Sequence, residues 1–223
     1  MPAQPPTDRT RVQRIPERGV YDAQTIHDIL DEALVIHVAF PLEGSDGAPA
    51  VIPTACWRVG DQLMFHGATS SRALKALRDG APCSAAVTLL DGVVLARSGF
   101  HQSMNYRSVV VYGQATELTD DAEILAALQA FTEKVAPGRW QEIRPPTRQE
   151  LKATAVFSLP LSEASAKVRT GPPVDDEADD ALPVWAGVVP LWRAAGAPIT
   201  DPRYDGTQPA PSHPSHLGRD SAP

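Results

Sequence analysis

Residues 50–77 read AVIPTACWRVGDQLMFHGATSSRALKAL, and the fold turns on how this stretch divides. Ala50 to Val59 has strand composition, Gly60-Asp61 supplies turn chemistry, and Gln62 to Phe65 returns as a second strand. Only afterwards does the period change. Ala73, Leu74, Ala76 and Leu77 fall at helical spacing, and Asp79-Gly80 stops the helix where glycine suits a left-handed cap. Two strands joined by so short a turn pair antiparallel, because parallel neighbours need a crossover of about a dozen residues or more.

The same grammar extends outward. Upstream, Asp22 can cap a helix over 22–33 with Ile26, Ile29, Leu30 and Ala33 on one face, and Leu34 to Phe40 is a strand closed by the turn residues Glu43-Gly44-Ser45-Asp46-Gly47. Downstream, Ser84 to Leu90 and Val93 to Ala96 read as a hairpin around Asp91-Gly92. Ser98 to Tyr106 is polar and irregular, and Arg107 to Leu118 is a strand. Asp120 and Glu123 form a capping box ahead of Ile124, Leu128, Phe131 and Val135, a helix that closes at Pro137-Gly138. Thr147 and Glu150 box a brief helix before a last strand, Thr154 to Leu161. Six or seven strands in hairpin order make a mainly β (α+β) fold, an antiparallel barrel with peripheral helices, not a doubly wound sheet.

Charge and proline mark the borders. The 223 residues hold 20 Lys plus Arg against 27 Asp plus Glu, a net charge of -7, and residues 171–223 supply eight acids and three bases of that total. Pro82 is the only proline between 54 and 136, whereas eight follow from 183 onward. We therefore divide the chain into a polar N-terminal arm (1–20), the barrel (21–170), an acidic proline-rich extension (171–207) with an apolar docking segment near 184–192, and a tail (208–223) expected to be disordered. The tail contains His213 and His216, which carry no expectation. No apolar run reaches the ~18–20 residues of a membrane span, and the N-terminus lacks the apolar stretch of a secretory signal, so the expected compartment is cytoplasmic. Cys56 and Cys83 make neither a zinc set nor a disulfide framework and are expected as buried thiols. No run of bases with interleaved aromatics points to nucleic acid.

Two segments concentrate polar chemistry. In HGATSSR, residues 66–72, a strand delivers the chain into a turn that begins a helix, so backbone N–H groups, hydroxyls, Arg72 and Lys75 converge. That suits an anion, or else Ser70 or Ser71 merely caps the helix. The second segment, ARSGFHQSMNYRSVVVYG at 96–113, packs Arg97, His101, Ser103, Asn105, Tyr106, Arg107 and Ser108 between apolar strands, as a site or as a solvated loop. His37, in an apolar strand, reads as a satisfied core residue, and His27 as a surface one.

The order VIPT, LMFHGATSSRALKAL, TLLDG and RSVVVYGQATEL resembles the pyridoxamine 5'-phosphate oxidase-like, FMN-binding split-barrel superfamily. Within it, FHQSMNYRSVVVYG and EASAKVRTGPP (163–173) resemble the flavin-nucleotide-binding branch that includes nitroimidazole-resistance reductases, over roughly residues 15–192. The resemblance implies a split barrel that binds FMN at a homodimer interface. Ile52, Pro53 and Thr54 would flank the flavin, His66 and Gly67 lead into its phosphate turn, Ser70, Ser71 and Arg72 hold the phosphate, and Asn105, Arg107 and Ser108 fix its polar edge. Lys167 and Arg169 would close over the flavin or lie in a solvated segment. The vitamin-processing members carry a basic residue on the second strand and an Arg-Lys pair after the turn. Here Thr54 and Arg72-Ala73 stand instead, so that activity is not carried over.

The leading expectation is an FMN-dependent oxidoreductase that passes electrons from NAD(P)H to a small acceptor such as a quinone, a nitro compound or a pyridoxamine-phosphate-like molecule. His66 is its proton or hydrogen-bond donor, with a backbone-bonded strand-end histidine as the competing reading. A non-catalytic flavin-binding or sensing module and a haem-binding split barrel, for which His66 and His101 are a minimal ligand set, are the alternatives. No other metal site is expected.

Overall fold

The computed structural model describes residues 4–44, 46–206 and 210; the expected tail falls almost wholly outside them. Seven strands of six residues or more form the body: β2 (Val35–Pro41), β3 (Pro49–Val59), β4 (Gln62–Ala68), β5 (Pro82–Leu95), β6 (Ser103–Gln114), β8 (Thr154–Pro160) and β9 (Ala164–Arg169). Three short strands complete it, β1 (Gly19–Val20), β7 (Thr116–Glu117) and β10 (Gly187–Pro190). All pairings are antiparallel, in the order β1-β9-β6-β5-β2-β3-β4-β8-β7, with β10 added to β5. The sheet is an open, split barrel with four helices around it: α1 (Ala23–Glu32), α2 (Arg72–Arg78), α3 (Asp121–Val135) and α4 (Arg148–Ala153).

The helices begin where their caps place them. The Asp22 carboxylate accepts from Thr25 N–H, Asp120 from Ala122 and Glu123 N–H, and Thr147 and Glu150 close a reciprocal box. Alternation then sorts the strands. Ile36, Val38, Phe40, Cys56, Leu63, Phe65, Phe157 and Leu159 face the barrel interior with Ile29, Leu30 and Leu77. At about 1.5–3 kcal/mol for each large apolar side chain fully buried, this interior is the main stabilising contribution. Trp57, Met64 and Val156 point the other way, from β3, β4 and β8 to Ile124 and Ala127 of α3, and form a second, smaller core. Among the described residues no helix is long and apolar enough to cross a membrane.

Asp91-Gly92 is not a hairpin turn. β5 runs through it as one strand, with a register shift between Leu90 and Gly92 that marks a bulge. Glycine is required there by the strand that docks on it: a Cβ on Gly92 would lie 2.8 Å from Val188 Cγ1 and 3.2 Å from the Val189 carbonyl of β10. The expected docking segment is therefore a strand, held further by Leu191 N–H donating to the Asp91 carbonyl at 3.1 Å. His37 is not in the core. Its neighbours Ile36 and Val38 take the inward positions, which leaves the imidazole exposed on the outer face opposite Pro53. His27 is less exposed than expected, at 18%, with Nε2 3.1 Å from Asp61 Oδ1. β9, which contains Lys167 and Arg169, is a strand inside the sheet and not a solvated exit.

Both cysteines are buried free thiols. Burial pushes the Cys56 thiol from 9.0 up to about 11. A group raised in the folded state contributes stability fully present below its unfolded pKa and lost as pH rises through the folded value. The two-unit shift corresponds to about 2–3 kcal/mol between pH 9 and 11. We expect the urea-unfolding free energy of wild type, measured relative to Cys56→Ala, to fall by about that amount across this window; parallel profiles would refute the assignment.

Candidate functional site: the His66 cavity

On β4, Phe65 faces the barrel interior, so His66 faces the other way, toward α3. Its ring centroid lies 5.6 Å from that of Trp57 and 5.3 Å from that of Phe131, and these two rings are 5.1 Å apart. A cavity of about 460 Å³ opens beside this aromatic cluster. Leu128, Phe131 and Thr132 of α3 line it at helical spacing, with Trp140, Ile143 and Pro146 from the segment after α3 and Thr154 at the start of β8. Arg144 and Glu150 complete the lining, joined by Nη–Oε bonds of 2.7 and 2.8 Å, and both are substantially exposed, which places them at the mouth. The chamber is thus apolar and aromatic inside and charged at its edge, the usual make-up of a small-molecule or cofactor pocket.

The histidine is chemically idle within its own chain. Its side chain makes no hydrogen bond among the described residues, and Nδ1 is buried without a partner; Trp57 Nε1 is orphaned as well. Burial pushes the His66 pKa below its ordinary value, so the ring is neutral at neutral pH, the state in which imidazole donates a lone pair to a metal. The lining fits an iron-bearing planar macrocycle in its chemistry: a neutral imidazole, aromatic and aliphatic walls, and an exposed Arg144–Glu150 ion pair at the rim. Sequence reasoning found His66 but not Trp57, Phe131, Trp140, Ile143 or Arg144. The available signal was alternation, since Trp57 follows Cys56 on β3 and must face away from the barrel interior.

The expected flavin residues separate into two groups. Thr54, His66, Gly67, Ser70, Ser71 and Arg72 run from the middle of β3 and the end of β4 into the start of α2. Thr54 Oγ1 donates to the His66 carbonyl at 3.0 Å. A Cβ on Gly67 would lie 2.7 Å from Leu74 Cδ1, so close packing of α2 explains that glycine. Ser71 accepts from Leu74 N–H as the α2 cap, whereas Ser70 and Arg72 are exposed with no side-chain partner among the described residues. Ile52 packs against the barrel interior and Pro53 is exposed on the outer face.

Asn105, Arg107 and Ser108 sit on β6, separated from β4 by three strands in the sheet order. Asn105 is buried, with Nδ2 donating to the Gly171 carbonyl at 3.1 Å and Oδ1 accepting from Arg169 Nη1. Ser108 Oγ donates to the Lys167 carbonyl at 3.2 Å. Arg107 grips Asp91 through Nε and Nη2, both at 2.8 Å, and Glu32 through Nη1 and Nη2 at 2.7 and 3.1 Å. These carboxylates, Asp91 first, hold its pKa above the ordinary value. The side chains of Arg107 and Asp91 are 20% and 9% exposed, so loss of the cation should cost about 2–3 kcal/mol after allowance for partial solvation. Arg107→Ala is expected to lower the urea-unfolding free energy by that amount. A variant of normal stability that lost flavin would instead place this residue at the cofactor.

An open antiparallel barrel whose second face carries a histidine-walled chamber defines a class, and the chain belongs to the pyridoxamine 5'-phosphate oxidase family, whose profile matches residues 22–168. Among solved structures it is similar to the flavocytochrome Anf3 from Azotobacter vinelandii, with 42% identity, a TM-score of 0.88, and 94% of this chain and 96% of that one covered. It is also similar to the FAD and heme binding protein from Mycobacterium smegmatis, with 40% identity, a TM-score of 0.82, and 87% and 94% covered. A candidate 5-nitroimidazole antibiotic resistance protein from Bacteroides thetaiotaomicron shares the fold at 19% identity and a TM-score of 0.56, over 67% of this chain and 86% of that one. No curated protein sequence matches significantly.

Proposed function

We propose that this protein is a redox carrier or oxidoreductase that binds a flavin and a haem together, with His66 as the residue that would hold the haem iron. The carrying observation is the neutral imidazole of His66, with no side-chain hydrogen bond among the described residues, in the wall of an aromatic-lined cavity of about 460 Å³. Support for the pair of cofactors comes from the two relatives at 40% identity or more, one named a flavocytochrome and the other an FAD and heme binding protein. The second name favours FAD over the FMN expected from sequence. Flavin and haem, set against each other as alternatives in the sequence reading, are compatible in one chain.

The two groups supply, when bound, two-electron and one-electron chemistry respectively. The protein's own tasks are to orient and to exclude water. Trp57 and Phe131 fix the plane of the His66 ring, Leu128, Ile143 and Pro146 keep the chamber dry, and the Arg144–Glu150 pair borders the mouth. Ser70 and Arg72, exposed and unpartnered, are available for the flavin phosphate. The outer face of β2 and β3 presents Val35, Val51 and Pro53 to solvent around His37, an apolar sheet face that a second copy of the chain would cover as a homodimer.

The test is the absorption spectrum of the purified protein with extraction of its pigments. We expect flavin bands and a Soret band in comparable molar amounts. Flavin bands alone, with no uptake of added hemin, would remove the haem half of the reading. Consumption of a reduced nicotinamide with a quinone acceptor then separates an oxidoreductase from a carrier.

A further inference from the structure

A second polar cavity lies at the β1 edge of the sheet, outside the His66 chamber. It measures about 270 Å³ and is lined by Arg18, Val168, Arg169, Thr170, Pro172 and Val174. Pairing of β1 with β9 creates it, since Gly19 opposite Lys167 brings Arg18 alongside the end of β9. Arg169 is only 5% exposed. Its Nη1 donates to Asn105 Oδ1 and to the Gly171 carbonyl at 3.3 Å, its Nη2 donates to the Pro172 carbonyl at 3.1 Å, and its Nε is buried with no acceptor. Every partner is neutral. Among the described residues the Arg18 side chain has no hydrogen bond or ion pair, and no carboxylate lies within salt-bridge distance of either guanidinium. Arg107, similarly enclosed, takes two carboxylates.

A buried cation without a counter-charge is costly, and the partly buried Arg18 beside Arg169 adds like-charge repulsion across one cavity. We propose that this pocket binds the phosphate of a phosphate monoester or pyrophosphate, clamped between Arg18 and Arg169. Charge selects the class: a phosphomonoester carries about −1.5 to −2 at neutral pH and balances two guanidiniums, whereas a single carboxylate leaves one uncompensated. The Thr170 position adds a hydroxyl to the lining, and Val168, Pro172 and Val174 give the organic portion an apolar wall. Burial and the neighbouring Arg18 both push the Arg169 pKa down from its ordinary value, a strain that an anion in the cavity relieves. The phosphate comes from a free phosphorylated ligand, or from a bound flavin, in which case the flavin phosphate lies in this pocket and not at Ser70 and Arg72.

The test uses the full-length, cofactor-loaded protein and Arg18→Gln. Arg169 is less suitable, because its removal also strips partners from Asn105 and Pro172. Titration calorimetry with inorganic phosphate is run alongside measurement of flavin retained per chain after gel filtration. If the site takes a free ligand, wild type binds phosphate and Arg18→Gln binds it about tenfold to a hundredfold more weakly, with flavin content unchanged. If flavin supplies the phosphate, wild type ignores added phosphate and the variant sheds flavin. Equal phosphate affinity in both proteins, or no change in either readout, overturns the proposal.

Discussion

Replacement of His66 by alanine is expected to remove the Soret band while leaving the flavin bands and the far-ultraviolet circular dichroism unchanged. The residue lies on β4 at the wall of the chamber, with its ring against those of Trp57 and Phe131. It makes no side-chain hydrogen bond, so truncation breaks no internal polar contact. What is lost is packing at the edge of a cavity that is already open, a cost of about 1–2 kcal/mol, which a domain of ordinary stability of ~5–15 kcal/mol tolerates. Haem occupancy should then fall from near-stoichiometric to a few per cent or less, and imidazole added to His66→Gly should restore part of the absorbance by filling the vacated volume. Retention of a full Soret band in His66→Ala would move the ligand elsewhere. Loss of both pigments in parallel would mean that the histidine acts through the fold.

Legibility in the sequence followed the range of the interactions involved. Helices α1, α3 and α4 were legible because their caps are local: Asp22 bonds Thr25, Asp120 bonds Glu123, and Thr147 exchanges bonds with Glu150. β3 and β4 were legible because alternation and a two-residue turn act within a few residues. β9 was not, since Ala164, Ser165 and Ala166 have little strand preference, and the stretch is a strand because β1 and β6 claim both of its edges. Asp91-Gly92 misled for a related reason. Its local chemistry is that of a hairpin, but the glycine answers to β10, about a hundred residues later in the chain, and the aspartate to Arg107.

The site shows the same division. The turn that carries His66 is a local feature, while the chamber is assembled from β3, β4, α3 and the segment before α4, so that no window of sequence contains it. Arg107 looked available because nothing near it in sequence showed that Glu32, 75 positions earlier, would reach it across the fold. Conversely, Arg169 lay beside acidic sequence at Asp175 and Asp176 and is nevertheless without a carboxylate, because Asp175 turns to Arg97.

The second large effect is expected at Lys134, the last basic residue of α3, where Lys134→Met should lower the unfolding free energy by about 3 kcal/mol. Its Nζ donates to the carbonyls of Leu30 and Ala33 at 3.0 and 2.5 Å, closing the C-terminal end of α1, and to the Cys56 carbonyl of β3 at 3.0 Å. One ammonium therefore ties α1, α3 and β3 together, and methionine, which keeps the apolar stem, leaves several enclosed acceptors short of a donor at about 1–3 kcal/mol each. Against this stands the cost of burying the ammonium, which pushes its pKa down from the ordinary value. Methionine relieves that penalty but removes the donor altogether, and three carbonyls left without it cost more, so the net effect is loss. For a chain of this size it corresponds to a fall in melting temperature of about 6–12 °C. The pH dependence distinguishes this account from simple packing. A lysine whose folded pKa is depressed holds fewer protons folded than unfolded, so stability rises with pH between its folded pKa and the ordinary value of 10.5. The wild-type advantage over Lys134→Met should accordingly widen as pH is raised toward 10.5, opposite in sign to the trend expected of Cys56. Because α3 also supplies Leu128, Phe131 and Thr132 to the chamber wall, haem retention should weaken in the variant even at temperatures where it remains folded. An unchanged melting temperature would show that the three carbonyls find other donors, and a pH-independent difference would show that the ammonium is not the group that matters.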